Sequence, residues 1–181
     1  MAEFNLAIST VLAHEGGFVN DPNDKGEATN YGISLRYLQS TGQLNKYDFD
    51  HDGAITANDI AMLTRDEAIE IYRESWWNKY DYERFVDQQV ANKVLDMAVN
   101  MGQKQATKLL QRSVNRANDN QHLSCDGVLG PMTMEAVNKI DPIKLIPILK
   151  TECAQFYEDL VNARSEFREY FAGWLRRAYA G

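Results

Sequence analysis

The chain has 181 residues, of which 44% are hydrophobic and 10% aromatic, and it carries a net charge of −7. This composition is typical of a folded globular protein with one sizeable core, and it excludes a disordered chain. The negative charge disfavours nucleic acid and anionic membrane surfaces as partners, and no apolar run is long enough to span a bilayer. The N-terminal segment MAEFNLAIS has neither the basic nor the apolar region of a signal peptide, which predicts synthesis in the cytoplasm.

The first part of the chain is predicted to contain two helices and a short hairpin. Apolar residues at helical spacing from Phe4 to Leu12 predict an N-terminal helix with one apolar face. The segments GFVN and ATNYGIS are expected to pair as a short irregular hairpin beside this helix. Thr64 and Glu67 form a capping box, so a second long helix is predicted to begin there.

The rest of the chain is predicted to be almost wholly helical. Asp87 is expected to cap a helix that ends at Gly102, and Asp141 with Pro142 is expected to open a long helix. The least helical stretch, DNQHLSCDGVLGPMT, is a candidate joint between two helical lobes. An apolar stripe near the C-terminus, predicted to be core, consists of Phe167, Phe171, Trp174, Leu175 and Ala178.

Glu15 is a candidate catalytic residue because it continues the apolar face of the first helix and precedes two glycines. A carboxyl in that position belongs either in solvent or in a cleft cut into the core. In a cleft it would stay protonated near neutral pH and serve as a general acid. Gly16 and Gly17 would leave the approach to it open. The same residues would also serve as a helix end and a solvated turn, and their spacing alone leaves both interpretations open.

The loop after the two glycines offers partners for such an acid. Glycoside hydrolysis commonly needs a second carboxylate to activate water, and the loop supplies Asp21, Asp24 and Glu27. Thr29 is an alternative that would position the water molecule. Asp21 stands before a proline, a context more typical of a turn.

A second acidic segment, DFDHDGAITAND, has the spacing of an EF-hand calcium loop. Alternating carboxylates converge on one cation in such a loop, and Gly53 permits the sharp turn at its sixth position. The predicted ligands are Asp48, Asp50, Asp52, the Ala54 carbonyl, Thr56 and Asp59. Asp59 stands where glutamate is usual, which predicts weaker binding, and Thr56 is also a candidate helix cap. The alternative is a solvated acidic turn, in which the crowded carboxylates would repel one another.

The segment HEGGFVNDPNDKGEATNYGIS resembles the signature of glycoside hydrolase family 108, the EGGY-motif N-acetylmuramidases found as phage endolysins and in bacteria. Phe18 replaces the tyrosine of that motif, and Glu27 stands where a second glycine is usual. The segments EAIEIYRESWW, VLDMAVNMG, LLQRSVN, DGVLGPMT and FAGWLRRA then follow in the order of the family. The last three resemble its peptidoglycan-binding-like half, so we expect a catalytic lobe at 1–100 and a peptidoglycan-binding-like lobe at 101–181.

The resemblance implies a mainly α, lysozyme-like helical bundle with a small irregular β region at the active site. It implies that Glu15 is the acid that cleaves the β-1,4 bond after N-acetylmuramic acid in peptidoglycan. The loop also resembles that of phage lysozymes, which makes Asp24 and Thr29 the expected partners of Glu15 and Asp21 the second choice. A monomeric phage endolysin is expected, reaching the wall in the periplasm after release by a separate factor. Catalysis would need no cofactor, and the calcium would be structural.

Three further residues are candidates for contact with sugar. Tyr31 lies within the signature segment, and Asn100 is a polar residue on a largely apolar helix that could equally cap its end. Of the adjacent Trp76 and Trp77, one is expected in the core and the other, assigned as Trp77, is expected to stack on a sugar ring.

Three other functions remain open on the sequence. A lytic transglycosylase would use the same Glu15 and release an anhydro sugar. A non-catalytic wall-binding module would not need Glu15, and a calcium-responsive interaction protein would expose an apolar groove when calcium binds.

Cys125 and Cys153 are expected to be free thiols, because a chain made in the cytoplasm does not favour a disulfide.

Overall fold

The computed structural model describes residues 1–20, 28–118 and 123–180. Within these residues the chain is mainly helical and has one small two-stranded sheet, which confirms the predicted mainly α fold class. Both cysteines are free thiols, as expected. None of the described helices is both long and apolar enough to cross a membrane.

The described chain forms two compact units. Leu12–Ser75 is called the hairpin unit here, and Met1–Val11 with Trp76–Gly181 is called the helical unit. The first helix, α1 (Phe4–His14), has residues in both. The hairpin unit also contains β1 (Thr29–Asn30), β2 (Ile33–Ser34), α2 (Leu35–Ser40), α3 (Leu44–Tyr47), α4 (Ala57–Met62) and α5 (Arg65–Tyr72).

The sheet of the hairpin unit is a tight antiparallel hairpin. Thr29 pairs with Ser34 and Asn30 with Ile33, so two residues, Tyr31 and Gly32, form the turn. Both have a positive φ, +50° and +78°, which is the backbone of a type I′ turn. An antiparallel bridge from residue 19 to Thr29 extends the pairing, which confirms the predicted hairpin.

Side chains hold the short helices of the hairpin unit in place. The capping box of Thr64 and Glu67 starts α5, as the sequence predicts, and Thr56 with Asp59 forms another at the start of α4. The buried Asn30 amide donates to the carbonyls of residues 60 and 63, at 3.0 and 3.1 Å, and so satisfies carbonyls at the end of α4. The hairpin is thereby fixed to the end of α4.

The helical unit is built from long helices whose starting points follow the sequence. They are α6 (Gln88–Met101), α7 (Gln103–Ala117), α8 (Pro131–Asn138), α9 (Pro142–Ala163) and α10 (Phe171–Tyr179). Asp87 caps α6, which ends at Gly102, and Asp141 caps α9. Leucines from α6, α7 and α9 fill the core.

The C-terminal stripe forms the edge of that core instead of its centre. Of its five predicted residues, Ala178 is buried and the four larger ones are half-buried. Trp174 stacks on Tyr157 of α9 and on Tyr170, with ring centroids 5.2 and 5.8 Å apart. Because α10 packs mainly against α9, its aromatic side chains keep one side in solvent.

Candidate active site

Glu15 follows the last residue of α1 and is half-buried. The two glycines after it are exposed, and a Cβ built on either would meet no atom of the described residues within 4 Å. Neither has a positive φ, so neither the backbone conformation nor close packing requires glycine at these positions. Among the described residues, the space around the α carbons of Gly16 and Gly17 is therefore empty.

One side of the Glu15 carboxyl is closed by the hairpin turn. A Cβ built on Gly32 would lie 2.7 Å from both the Cδ and the Oε2 of Glu15, and 2.5 Å from the Tyr72 hydroxyl. Real Cβ contacts essentially never come closer than 3.0 Å. The carboxyl group thus packs on the α carbon of Gly32, and a side chain at that point of the turn would displace the Glu15 carboxyl or the Tyr72 hydroxyl.

The Tyr31–Gly32 turn on which the Glu15 carboxyl packs is called the wall of the site here. Two buried side chains hold it in place. The Tyr72 hydroxyl, at the end of α5, donates a hydrogen bond of 3.0 Å to the Tyr31 carbonyl. The Asn30 amide binds the end of α4, as described above. The turn is therefore held from two directions, and so is the surface on which the Glu15 carboxyl rests.

Of the predicted partners of Glu15, the structure describes Thr29. Thr29 is half-buried at the start of β1, where its N–H and C=O pair with the backbone of Val19 at 2.8 Å each. Thr29 also pairs with Ser34, which places it in the same hairpin that carries Gly32. Asp24 and Asp21 lie outside the described residues, so their roles stay predictions.

Two of the three predicted sugar contacts, Tyr31 and Asn100, lie in different settings. Tyr31 is half-buried at the tip of the hairpin, next to the glycine that supports Glu15. Asn100 is exposed near the end of α6, and its amide oxygen accepts a hydrogen bond of 2.6 Å from the Tyr157 hydroxyl. For both residues, contact with sugar stays a prediction.

Trp77 is placed where it does not fit its predicted role. Its side chain is only 4% exposed and packs edge-on against Phe4 and stacked on Tyr82, so it offers no free face to a sugar ring. The chain runs as a π-helix over Arg73–Asn78, whose wider turn alters the helical phase that the sequence pattern assumes. Its neighbour Trp76 is half-buried.

The acidic loop brings three of its predicted calcium ligands together. One carboxylate oxygen from each of Asp48, Asp50 and Asp52 lies within 4.8 Å of the others. The Asp48 carboxylate accepts hydrogen bonds from the N–H groups of Asp52 and Gly53, at 3.1 and 3.0 Å, and Gly53 has a φ of +93°. Three converging oxygen ligands on a tight turn suit a hard cation such as calcium.

The last two predicted ligands also act as helix caps. The fully buried Asp59 carboxylate accepts hydrogen bonds from the N–H of Phe49 at 2.6 Å and of Thr56 at 2.7 Å. Burial favours its neutral form, but these hydrogen bonds outweigh that effect and hold the pKa of Asp59 below its usual value. The Thr56 hydroxyl accepts from the N–H of Asn58 at 3.2 Å. The role of Ala54 as a carbonyl ligand stays a prediction.

Three residues that shape the wall beside Glu15 are missing from the sequence-based site: Asn30, Gly32 and Tyr72. Asn30 stands directly before the two-residue turn and Gly32 is the second residue of that turn, a pattern that is a usable signal for a tight hairpin. Tyr72 gives no local signal, because it bonds a carbonyl 41 positions away in the chain.

Comparisons with known proteins cover both parts of the chain. The family described as "Glycosyl hydrolase 108" matches residues 8–102, and the one described as "Predicted Peptidoglycan domain" matches residues 105–179. Among solved structures, SagA of Brucella abortus is 30% identical, with a TM-score of 0.75 over 97% of this chain and 88% of the other. No curated protein matches the chain.

Proposed function

Since the chain belongs to the glycosyl hydrolase 108 family, we propose that it is an N-acetylmuramidase in which Glu15 is the general acid. The matches to this family and to a peptidoglycan domain identify the protein as a peptidoglycan hydrolase, as the motifs imply. The proposed reaction is hydrolysis of the β-1,4 bond between N-acetylmuramic acid and N-acetylglucosamine. The proposed setting is host lysis by a phage endolysin, made in the cytoplasm and acting in the periplasm after release by a separate factor.

The observation that supports Glu15 as the acid is the close packing of its carboxyl on the hairpin turn. The carboxyl packs on the α carbon of Gly32, and the two exposed glycines that follow Glu15 carry no side chains that could cover it. A carboxyl held against the turn keeps a defined direction, and the two glycines next to it in the chain leave room for a bulky substrate. A solvated helix end would give no reason for such close packing on the turn.

In the proposed mechanism, the protonated Glu15 donates its proton to the glycosidic oxygen as the bond to the sugar breaks. Water then adds to the oxocarbenium-like centre. We assign the positioning or activation of this water to Asp24 and Thr29. Thr29 supports this assignment through its place in β1, three residues before the glycine on which the carboxyl rests.

We also propose that Asp48, Asp50 and Asp52 hold a structural calcium ion together with further oxygen atoms of the loop. Their convergence supports this proposal. The ion would neutralise the repulsion among the carboxylates and stabilise the loop that leads into α4. Nothing in the proposed mechanism requires it.

The test of the proposed function is a peptidoglycan digest analysed by mass spectrometry. The wild-type protein should release muropeptides that end in N-acetylmuramic acid with a free reducing end. Glu15→Gln should lower the rate by ~100-fold or more, since glutamine has nearly the same shape but no acidic proton. Glu83→Gln, at an exposed position of the helical unit, is the control and should stay active.

Three outcomes would contradict the proposal. Release of anhydro sugars, each lighter by one water molecule, would show a lytic transglycosylase instead. Binding to wall fragments without any released product would show a wall-binding module. A Glu15→Gln variant as fast as wild type would leave the hydrolase without the proposed acid.

A further inference from the structure

We propose that Tyr72 is a positioning residue for catalysis, because its hydroxyl fixes the turn on which the Glu15 carboxyl rests. This inference rests on the proposed role of Glu15 as the acid. Tyr72 itself touches no substrate in the proposal. It acts through the Tyr31–Gly32 turn, and its effect should therefore appear in turnover and not in binding.

The first argument comes from the burial of Tyr72. Its side chain is completely buried, so its hydroxyl needs a hydrogen-bond partner inside the protein. The hydroxyl donates to the Tyr31 carbonyl at 3.0 Å. A phenylalanine would fill the same space without this bond, so the substitution removes the hold on the turn while keeping the bulk of the side chain.

The second argument comes from the backbone of the turn. Tyr31 has a φ of +50°, a left-handed conformation that is unfavourable for a residue with a side chain. Such a conformation persists when surrounding contacts hold it. The Tyr72 hydroxyl holds the carbonyl of this same residue.

The third argument comes from the crowding around Gly32. The Tyr72 hydroxyl oxygen and the Glu15 Oε2 both lie within 2.7 Å of the point where a Cβ of Gly32 would be. The hydroxyl, the carboxyl and the turn backbone therefore meet at one place. A movement of the turn would therefore move the Glu15 carboxyl as well. A displacement of a catalytic group by about 1 Å can lower the rate of catalysis by ~100-fold.

The test compares two tyrosine-to-phenylalanine variants by steady-state kinetics on soluble glycan strands. Tyr72→Phe should lower kcat by ~10-fold or more, leave KM within about twofold, and change Tm by no more than ~4 °C. Tyr47→Phe is the control, since Tyr47 is another buried tyrosine of the same unit and none of the three atoms nearest to a Cβ on Gly32 belongs to it. It should keep the wild-type kcat.

A pair of glycine variants tests the crowding directly. Gly32 and Gly42 both have a positive φ, +78° and +67°, so alanine strains the backbone at either position. A Cβ on Gly42 would meet no atom of the described residues within 4 Å, whereas one on Gly32 would collide with the Glu15 carboxyl. Gly32→Ala should lose most of its activity, and Gly42→Ala should keep it.

Three results would overturn the inference. A Tyr72→Phe variant with wild-type kcat would show that its hydroxyl does not position the acid, and an equal fall in Tyr47→Phe would show a general effect of lost buried hydroxyls. A fall in activity explained wholly by a lower Tm would show a structural role alone. If Glu15→Gln is inactive in the same assay while Tyr72→Phe is normal, this inference fails and the proposed function stands. If Glu15→Gln remains active, the proposed acid itself is wrong.

Discussion

Loss of the Asp96 carboxylate should strongly destabilise the helical unit. Asp96 lies in the VLDMAVNMG segment of α6 and is 2% exposed. Its carboxylate accepts a hydrogen bond of 3.0 Å from the Nε of Arg177 and forms an ion pair with Nη2 at 2.9 Å. The buried Lys93 ammonium donates to the carbonyls of Arg177 and Ala180 at 2.7 and 3.2 Å. These contacts hold the end of α10 against α6.

The size of the effect follows from the burial of both partners. Removing one partner of a buried ion pair typically costs about 3–5 kcal/mol, because the other charge is left without compensation. In this case two cations remain, Arg177 and Lys93, and burial already lowers the pKa of Lys93. For a chain of this size each kcal/mol shifts Tm by ~2–4 °C, so Asp96→Ala should lower Tm by ~6–20 °C.

Thermal unfolding followed by circular dichroism provides the measurement. Replacement of both Asp96 and Arg177 by leucine should cost less than the sum of the single changes, since no charge is then left buried. Glu135→Ala, which breaks an exposed ion pair with Lys139, should leave Tm nearly unchanged. A wild-type Tm for Asp96→Ala would refute the reasoning. So would lost activity in variant protein that is still folded, because Asp96 would then take part in catalysis.

Two further predictions concern the acidic loops. Asp24→Asn should reduce turnover sharply in the wall-digestion assay while Asp21→Asn acts mainly on Tm, and the reverse order would show that the partner of Glu15 is misassigned. Calcium should raise Tm, because a ligand that binds only the folded state stabilises it, and chelation should reverse the shift while activity persists at a temperature where the protein stays folded. Replacement of both Asp48 and Asp52 by alanine should remove the rise of Tm that calcium causes. If calorimetry detects no calcium binding to the wild-type protein, the loop is a solvated acidic turn.

The helix starts were predictable because their causes are local. Asp87 and Asp141 each stand directly before a helix and accept a hydrogen bond from an N–H two or three residues later. The capping box of Thr64 and Glu67 is equally local. Such patterns need only a few neighbouring residues, so a single sequence contains them in full.

The setting of Trp77 and the wall beside Glu15 were not predictable, because their causes are not local. A π-helical turn changes the face on which each of two adjacent tryptophans lies, and the pattern of apolar residues does not indicate that such a turn is present. The wall depends on Gly32 meeting both Glu15 and Tyr72, which are far from it in the chain. The sequence predicts that the glycine belongs to a turn, but not which side chains that turn will meet.

The acidic loop and the wall of the site are joined by one short helix, and the hydrogen bonds at its two ends bear on the proposal that calcium is structural and does not serve catalysis. A six-residue helix such as α4 is unstable alone, so its two ends depend on outside partners. Asp59 holds its start, and the Asn30 amide holds its end, two residues before the glycine beneath Glu15. Both sets of hydrogen bonds are made by the protein itself. Because they do not require a bound ion, removal of calcium should weaken the loop while the turn beneath the carboxyl stays in place.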